Sequence, residues 1–266
     1  MHYQDIFVRL WAEYIGKNPA AKRIYDLLTA RGETVINDHI ALRTFNDPRV
    51  GVEVLAKPFI AAGYKECGEY EFKVKKLAAK HYEHPDANAP KVFISELKLA
   101  EFSQELQSKV QSALGQLDQE LLISPDLLFS GRPWQPIAYA DYQKLLTESE
   151  YAAWLLAYGF CANHFTVNVN ELKTLAGLEE LNAFLEAEGY VLNSSGGKIK
   201  GTKEQLLQQS STMAEKTLVQ FSDGKYEVPA CYYEFAKRYP KADGKLYSGF
   251  IAASADKIFE STNVSS

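Results

Sequence analysis

Asn37-Asp38-His39-Ile40-Ala41-Leu42-Arg43-Thr44-Phe45 and, much later, Asn163-His164-Phe165-Thr166-Val167-Asn168-Val169-Asn170 read as two copies of one strand, each opening on a histidine. The likeness runs beyond the strands. Tyr64 follows His39 by 25 residues and closes Ala61-Ala62-Gly63-Tyr64, while Tyr190 follows His164 by 26 and closes Ala187-Glu188-Gly189-Tyr190. Each copy later carries an apolar strand with an internal glutamate, Phe93-Ile94-Ser95-Glu96-Leu97 and Cys231-Tyr232-Tyr233-Glu234-Phe235. Two related halves that each present an imidazole and a carboxylate from strands can surround one metal ion.

Upstream of the first copy, residues 4–31 carry the apolar spacing of helices, with Ile6, Leu10 and Tyr14 on one face and Ile24, Leu27 and Leu28 on another. After a strand over 38–45, Asn46-Asp47-Pro48 signals a helix start and Gly63 its end. Strands are expected near 70–79 and 91–99, divided by the turn-rich 84–90. Residues 100–158 have helical spacing instead, at Phe102, Leu106 and Val110 and again at Tyr142, Leu145 and Leu146. The second copy then repeats the order: strand 163–169, helix 177–188, a hairpin region through Gly196-Gly197, strands near 213–221 and 230–237, and a closing strand or loop with a short helix over 246–260. The expected fold is α+β, with two βαβββ-type modules whose curved sheets enclose a central metal cleft. The first module spans 32–99, the helical insertion 100–158 and the second module 159–266, within one compact domain over 1–266.

Composition narrows the partners. The 266 residues are 46% hydrophobic and 24% charged, ordinary for a water-soluble globular chain. A net charge of −5 with no basic block argues against nucleic acid or an anionic membrane. No apolar run approaches the ~20 residues that span a bilayer. Met1-His2-Tyr3-Gln4-Asp5 lacks the basic-then-apolar order of a secretory signal, so a cytoplasmic location is expected. Cys67, Cys161 and Cys231 are odd in number and far apart, which suits reduced, buried thiols. Oligomeric state is not legible.

Strand alternation sorts the polar residues. His39, Ala41 and Arg43 share one face of the first strand, and His164, Thr166, Asn168 and Asn170 one face of the second. Tyr232, Glu234, Ala236 and Arg238 share a face of the last. Two imidazoles and one carboxylate form a facial triad, the ligand set of non-haem Fe(II) oxygenases. Arg43 suits a two-pronged pair with a substrate carboxylate, and Thr166, Asn168 and Asn170 suit hydrogen bonds behind the ligands. Taken singly, each has a plainer reading as a satisfied core histidine, a solvated glutamate or a salt-bridged arginine. Glu96 beside Lys98 suits such a pair, and Glu227, near Pro229, competes with Glu234 as a ligand. His81 and His84 point to opposite faces if they lie on a strand, which argues against a shared metal. Trp134 reads as packing, and there is no phosphate loop or nucleophile elbow.

His39-Ile40-Ala41-Leu42-Arg43-Thr44-Phe45, Asn163-His164-Phe165-Thr166, Tyr232-Tyr233-Glu234-Phe235-Ala236-Lys237-Arg238 and Ala253-Ser254-Ala255-Asp256-Lys257-Ile258-Phe259-Glu260-Ser261 resemble the DUF1338 family over nearly the whole chain. That group includes the 2-oxoadipate dioxygenase/decarboxylases of lysine catabolism, relatives of the vicinal-oxygen-chelate fold. The last strand is also similar to the final ligand strand of hydroxyphenylpyruvate dioxygenase. The resemblance implies an Fe(II) enzyme acting on 2-oxoadipate and O2 to give 2-hydroxyglutarate and CO2. It implies His39, His164 and Glu234 as metal ligands, Arg43 as catalytic and substrate-carboxylate residue, and Ala253 and Ser254 as pocket residues, with valine possible in relatives where Ala253 stands. Two other classes stay open: another metalloenzyme of the same fold, such as an isomerase or ring-cleaving dioxygenase, and a non-catalytic small-molecule binding module.

Overall fold

The computed structural model describes residues 1–175 and 177–262. Its centre is a seven-stranded sheet to which both repeats contribute. The first repeat supplies β1 (Asn37–Phe45), β2 (Lys65–Phe72), β3 (Leu77–Glu83) and β4 (Lys91–Leu97). The second supplies β5 (Ala162–Asn168), β6 (Leu207–Ser211) and β9 (Tyr232–Arg238), while β7 (Lys216–Phe221) and β8 (Gly224–Pro229) form a separate hairpin. The order is β2-β3-β4-β1-β5-β9-β6. In each half the histidine strand pairs in parallel with the last strand of its own repeat, β1 with β4 and β5 with β9. The halves join where β1 meets β5 antiparallel, with Ala41 opposite His164 and His39 opposite Thr166. This mixed α+β architecture matches the paired modules read from the repeat.

One face of the sheet is covered by α1 (Tyr3–Lys17) and α2 (Pro19–Ala30). Trp11 and Tyr14 each pack a ring 5.0 Å from that of Phe165, and the Tyr14 hydroxyl donates to the Tyr232 carbonyl at 2.5 Å. Phe165 and Tyr233 therefore point away from the histidine face, as strand alternation requires. The linker between the repeats holds α4 (Gln104–Leu114), α5 (Gln119–Ile123), α6 (Tyr139–Glu148) and α7 (Glu150–Tyr158), after α3 (Val52–Ala61) of the first repeat. Every residue of α7 but Glu150 is buried, and Tyr151 pins it to the sheet by donating to the Ser95 carbonyl at 2.7 Å and accepting from Thr44 N at 3.1 Å. Gly159 ends α7 at φ 72°, where a Cβ would stand 1.8 Å from the Gly131 carbonyl oxygen. Only glycine fits there.

Three boundaries differ from the sequence reading. The strand expected near 70–79 is two strands, turning at 73–76 with Lys76 at φ 54°. That turn lacks the glycine or proline that usually marks one. The helix after Pro48 begins only at Val52, Pro48 lying in a preceding turn. In the second repeat, 213–215 lie outside any strand, and β6 sits earlier, at the polar stretch Leu207-Gln208-Gln209-Ser210-Ser211. Cys67 is exposed on the edge strand β2 rather than buried, whereas Cys161 and Cys231 are buried.

After β9 the chain crosses the histidine face as a strap ending in α9 (Ala252–Ile258), followed by a short turn of 3₁₀ helix over 259–262. α8 (Leu178–Ala187) holds the place in the second repeat that α3 holds in the first.

Candidate metal centre

His39 on β1, His164 on β5 and Glu234 on β9 converge, with one ligand atom of each within 4.8 Å of the others. Register explains the meeting. Ala41 lies opposite His164 and His164 opposite Tyr232, so neighbouring strands deliver all three side chains to one face. All three are at most 4% exposed. His39 Nε2 lies 3.4 Å from Glu234 Oε1, and His164 Nε2 lies 3.1 Å from Glu234 Oε2.

Each of the three side chains is oriented from behind. His39 Nδ1 lies 2.7 Å from Asp38 Oδ1, and His164 Nδ1 lies 3.2 Å from Asn163 Oδ1. An Nδ1–H donated to each oxygen leaves the Nε2 lone pair facing the centre. Gln209 on β6 donates to Glu234 Oε1 at 2.6 Å, and Thr166 Oγ1 sits 3.1 Å from His39 Nε2. Among the described residues Glu234 Oε2, although buried, accepts no hydrogen bond.

Electrostatics suits a cation. Burial lowers the pKa of His39, opposed by the Asp38 bond, and burial with the His39 and Arg43 charges holds that of His164 well below the usual range. Both shifts favour the neutral imidazole, the form that ligates. Burial pushes Glu234 up to about 8 despite its Gln209 bond. A buried carboxylate with an unpartnered oxygen, facing two neutral imidazoles, fits a divalent ion that restores its charged form.

The cavity over these ligands is lined by Phe93, Gln209, Phe250, Ala255, Ile258 and Phe259. The last four come from the strap, which leaves room for little more than a water molecule. Arg43 is 1% exposed, with Nη1 3.1 Å from Glu150 Oε1, Nη2 donating to Thr262 Oγ1 at 3.2 Å, and its guanidinium 5.9 Å from the Phe259 ring. Its Nε has no partner among the described residues. Ala253 is exposed, and the buried Ser254 packs toward Gly201. Neither lines the cavity, which Ala255 and Ile258 of α9 and the following Phe259 face instead.

A family model described as 2-oxoadipate dioxygenase/decarboxylase matches residues 9–131 and 126–245. The chain belongs to the 2-oxoadipate dioxygenase/decarboxylase family. A curated relative, the chloroplastic/amyloplastic 2-oxoadipate dioxygenase/decarboxylase of Oryza sativa subsp. japonica, is 35% identical over 98% of this chain and 79% of its own length. The crystal structure of hydroxyglutarate synthase in complex with 2-oxoadipate from Oryza sativa superposes with a TM-score of 0.93 at 34% identity, covering 98% of this chain and 92% of that one. A crystal structure from Shewanella frigidimarina, described as a hydrolase, is 51% identical with a TM-score of 0.89, covering 94% and 98%.

Within this 2-oxoadipate dioxygenase/decarboxylase family member, the other singled-out residues have structural work. Glu96 accepts from Val52 N at 2.8 Å at the start of α3 and from Asn46 Nδ2 at 2.6 Å. Glu227 is exposed on β8. Asn168 caps a turn through Asn170 N, and Asn170 bonds the Arg238 backbone. His84 packs its ring on Tyr3 and Tyr64, apart from His81. Sequence reasoning missed Asp38, Asn163 and Gln209 as supports. The first two had a signal, since each immediately precedes its histidine.

Proposed function

We infer that this chain converts 2-oxoadipate and O2 to 2-hydroxyglutarate and CO2, with Fe(II) held by His39, His164 and Glu234. The observation that carries the reading is the convergence of these three buried side chains, whose donor set suits Fe(II) with open coordination positions. Family membership and the relative crystallised with 2-oxoadipate support the substrate. Fe(II) in this position would supply Lewis acidity toward the oxo acid and redox chemistry toward O2.

The protein's share is orientation and exclusion of water. Asp38 and Asn163 hold the imidazoles with Nε2 inward, and Gln209 fixes Glu234. Arg43, already beside Phe259, has a free buried Nε and a guanidinium plane suited to a carboxylate of the substrate. Phe93, Phe250, Ile258 and Phe259 keep the reacting groups in an apolar enclosure. On the resemblance alone, we assign the reaction to lysine degradation.

The test is anaerobic reconstitution with Fe(II), followed by O2 uptake with 2-oxoadipate and a panel of other oxo acids. Equal yields of CO2 and 2-hydroxyglutarate, matched to O2 consumed, are expected. Metal-dependent hydrolysis without O2 consumption would favour the hydrolase description of the Shewanella protein, and binding without turnover a non-catalytic role.

A further inference from the structure

We propose that Cys67, His81 and Glu83 form a second metal site, for a borderline-soft divalent cation such as zinc, at the β2 edge of the sheet. One ligand atom of each lies within 4.8 Å of the others, and His81 Nε2 is 3.0 Å from Glu83 Oε1. Tetrahedral zinc needs its ligands somewhat closer than the widest of these separations, a closure that an exposed cysteine rotamer supplies.

The backbone builds this arrangement. His81 and Glu83 alternate along β3 and so share a face. The register between β2 and β3 slips between Glu66 and Gly68, and a bulge of this kind re-aims a side chain. Here the extra residue is Cys67, brought to the thiol-accessible side of the His81–Glu83 pair. Gly68 completes the seat, because a Cβ there would come within 2.9 Å of the His81 ring. Any larger residue would push the imidazole away.

The donors are oriented as well as gathered. Tyr70 Oη lies 3.0 Å from His81 Nδ1 and also accepts from Phe250 N at 3.1 Å. It thereby fixes the ring and directs Nε2 toward Glu83. Sulfur, nitrogen and oxygen donors together disfavour Ca²⁺ and Mg²⁺ and favour zinc, cobalt or cadmium, with water completing the fourth position. Burial and the neighbouring Glu83 charge raise the Cys67 pKa. The thiol is thus not primed for oxidation, and a bound cation would displace its proton. The site is distinct from the histidine–glutamate centre, since the Phe250 ring stands between them, 5.3 Å from the His81 ring and 4.8 Å from that of His39.

The test titrates Co(II) anaerobically into the full chain already loaded with Fe(II), recording thiolate-to-cobalt charge-transfer absorption and iron content. The parent is expected to develop the band while keeping its iron. Cys67→Ser should abolish the band, Cys161→Ser should keep it, and His81→Gln and Glu83→Gln should each weaken binding by at least about tenfold. No band in the parent, a band surviving in Cys67→Ser, or parental affinity in both His81→Gln and Glu83→Gln would overturn the proposal. The last result would mean that a lone thiol binds the cobalt.

Discussion

Arg238 grips Asp38 through two parallel hydrogen bonds, Nε to Oδ2 at 2.6 Å and Nη2 to Oδ1 at 2.8 Å, directly behind His39. The same guanidinium donates to the carbonyls of Tyr247 and Gly249 at 3.0 and 2.8 Å. One buried ion pair thus orients the His39 imidazole and fastens the strap that covers it. Arg238 holds Asp38 well below the ordinary carboxylate range, outweighing the burial that alone would raise it. Asp38→Asn should weaken metal binding by about 10–100-fold, because the imidazole loses its charged orienting partner. It should also cost roughly 3–5 kcal/mol of stability by leaving Arg238 buried without a counter-charge. Anaerobic Fe(II) titration and urea unfolding measure the two effects, and a variant with parental values in both would make the pair incidental.

Glu234 dictates a pH dependence whose sign is specific. Without metal its folded pKa, about 8, lies above the unfolded value of about 4.3, so its contribution to stability is lost as pH rises through about 8. The depressed pKa values of His39 and His164 act oppositely, losing stability as pH falls below about 6.5. Metal-free protein should therefore weaken from about pH 6.5 to about 8.5, and Glu234→Gln should remove that decline. Since a bound ion displaces the Glu234 proton, apparent metal affinity should rise by about tenfold per pH unit up to about pH 8. A flat profile in urea unfolding and metal titration would show that Glu234 is already charged without the ion.

Arg43→Met should retain the metal and raise KM for 2-oxoadipate. Loss of one charge-assisted pair with a carboxylate corresponds to about 1.5–3 kcal/mol, or roughly 10–150-fold in kcat/KM. Iron content measured beside the kinetics separates this from loss of the centre. Unchanged kinetics would leave Arg43 as the partner of Glu150 and nothing more.

Phe250, Ile258 and Phe259 fill the cavity too closely for a substrate the length of 2-oxoadipate. Binding must therefore move the strap. Hydrogen exchange over 246–262 should change when 2-oxoadipate is added to the metal-loaded protein, while α1 remains unaffected. An unchanged strap would require access from another side of the sheet.

Much of the centre was legible because strand parity and the repeat act on the same residues. His39 and His164 occupy matching positions, and Glu234 shares their face through the parallel β5–β9 pairing. The misses have separate causes. β6 carries Gln209, Ser210 and Ser211 inward, so a buried strand looks like a polar loop. Gln209 is there to hold Glu234, and function has overridden the usual apolar pattern. The β7–β8 hairpin turns at Asp223-Gly224, a dipeptide that favours such turns. Cys67 looked like a core thiol because edge position is a property of sheet order, which no local pattern encodes. Ala253 and Ser254 were placed in the pocket by resemblance, and with the strap in this position Ala255, Ile258 and Phe259 line the cavity.

The most direct measurement compares the parent with His164→Ala for iron content and for 2-oxoadipate-dependent O2 uptake after anaerobic Fe(II) reconstitution, with circular dichroism as the check on folding. A folded variant lacking both iron and O2 uptake, beside a parent that has both, is the expected result. A folded His164→Ala protein with parental iron and parental uptake would contradict a centre built from His39, His164 and Glu234.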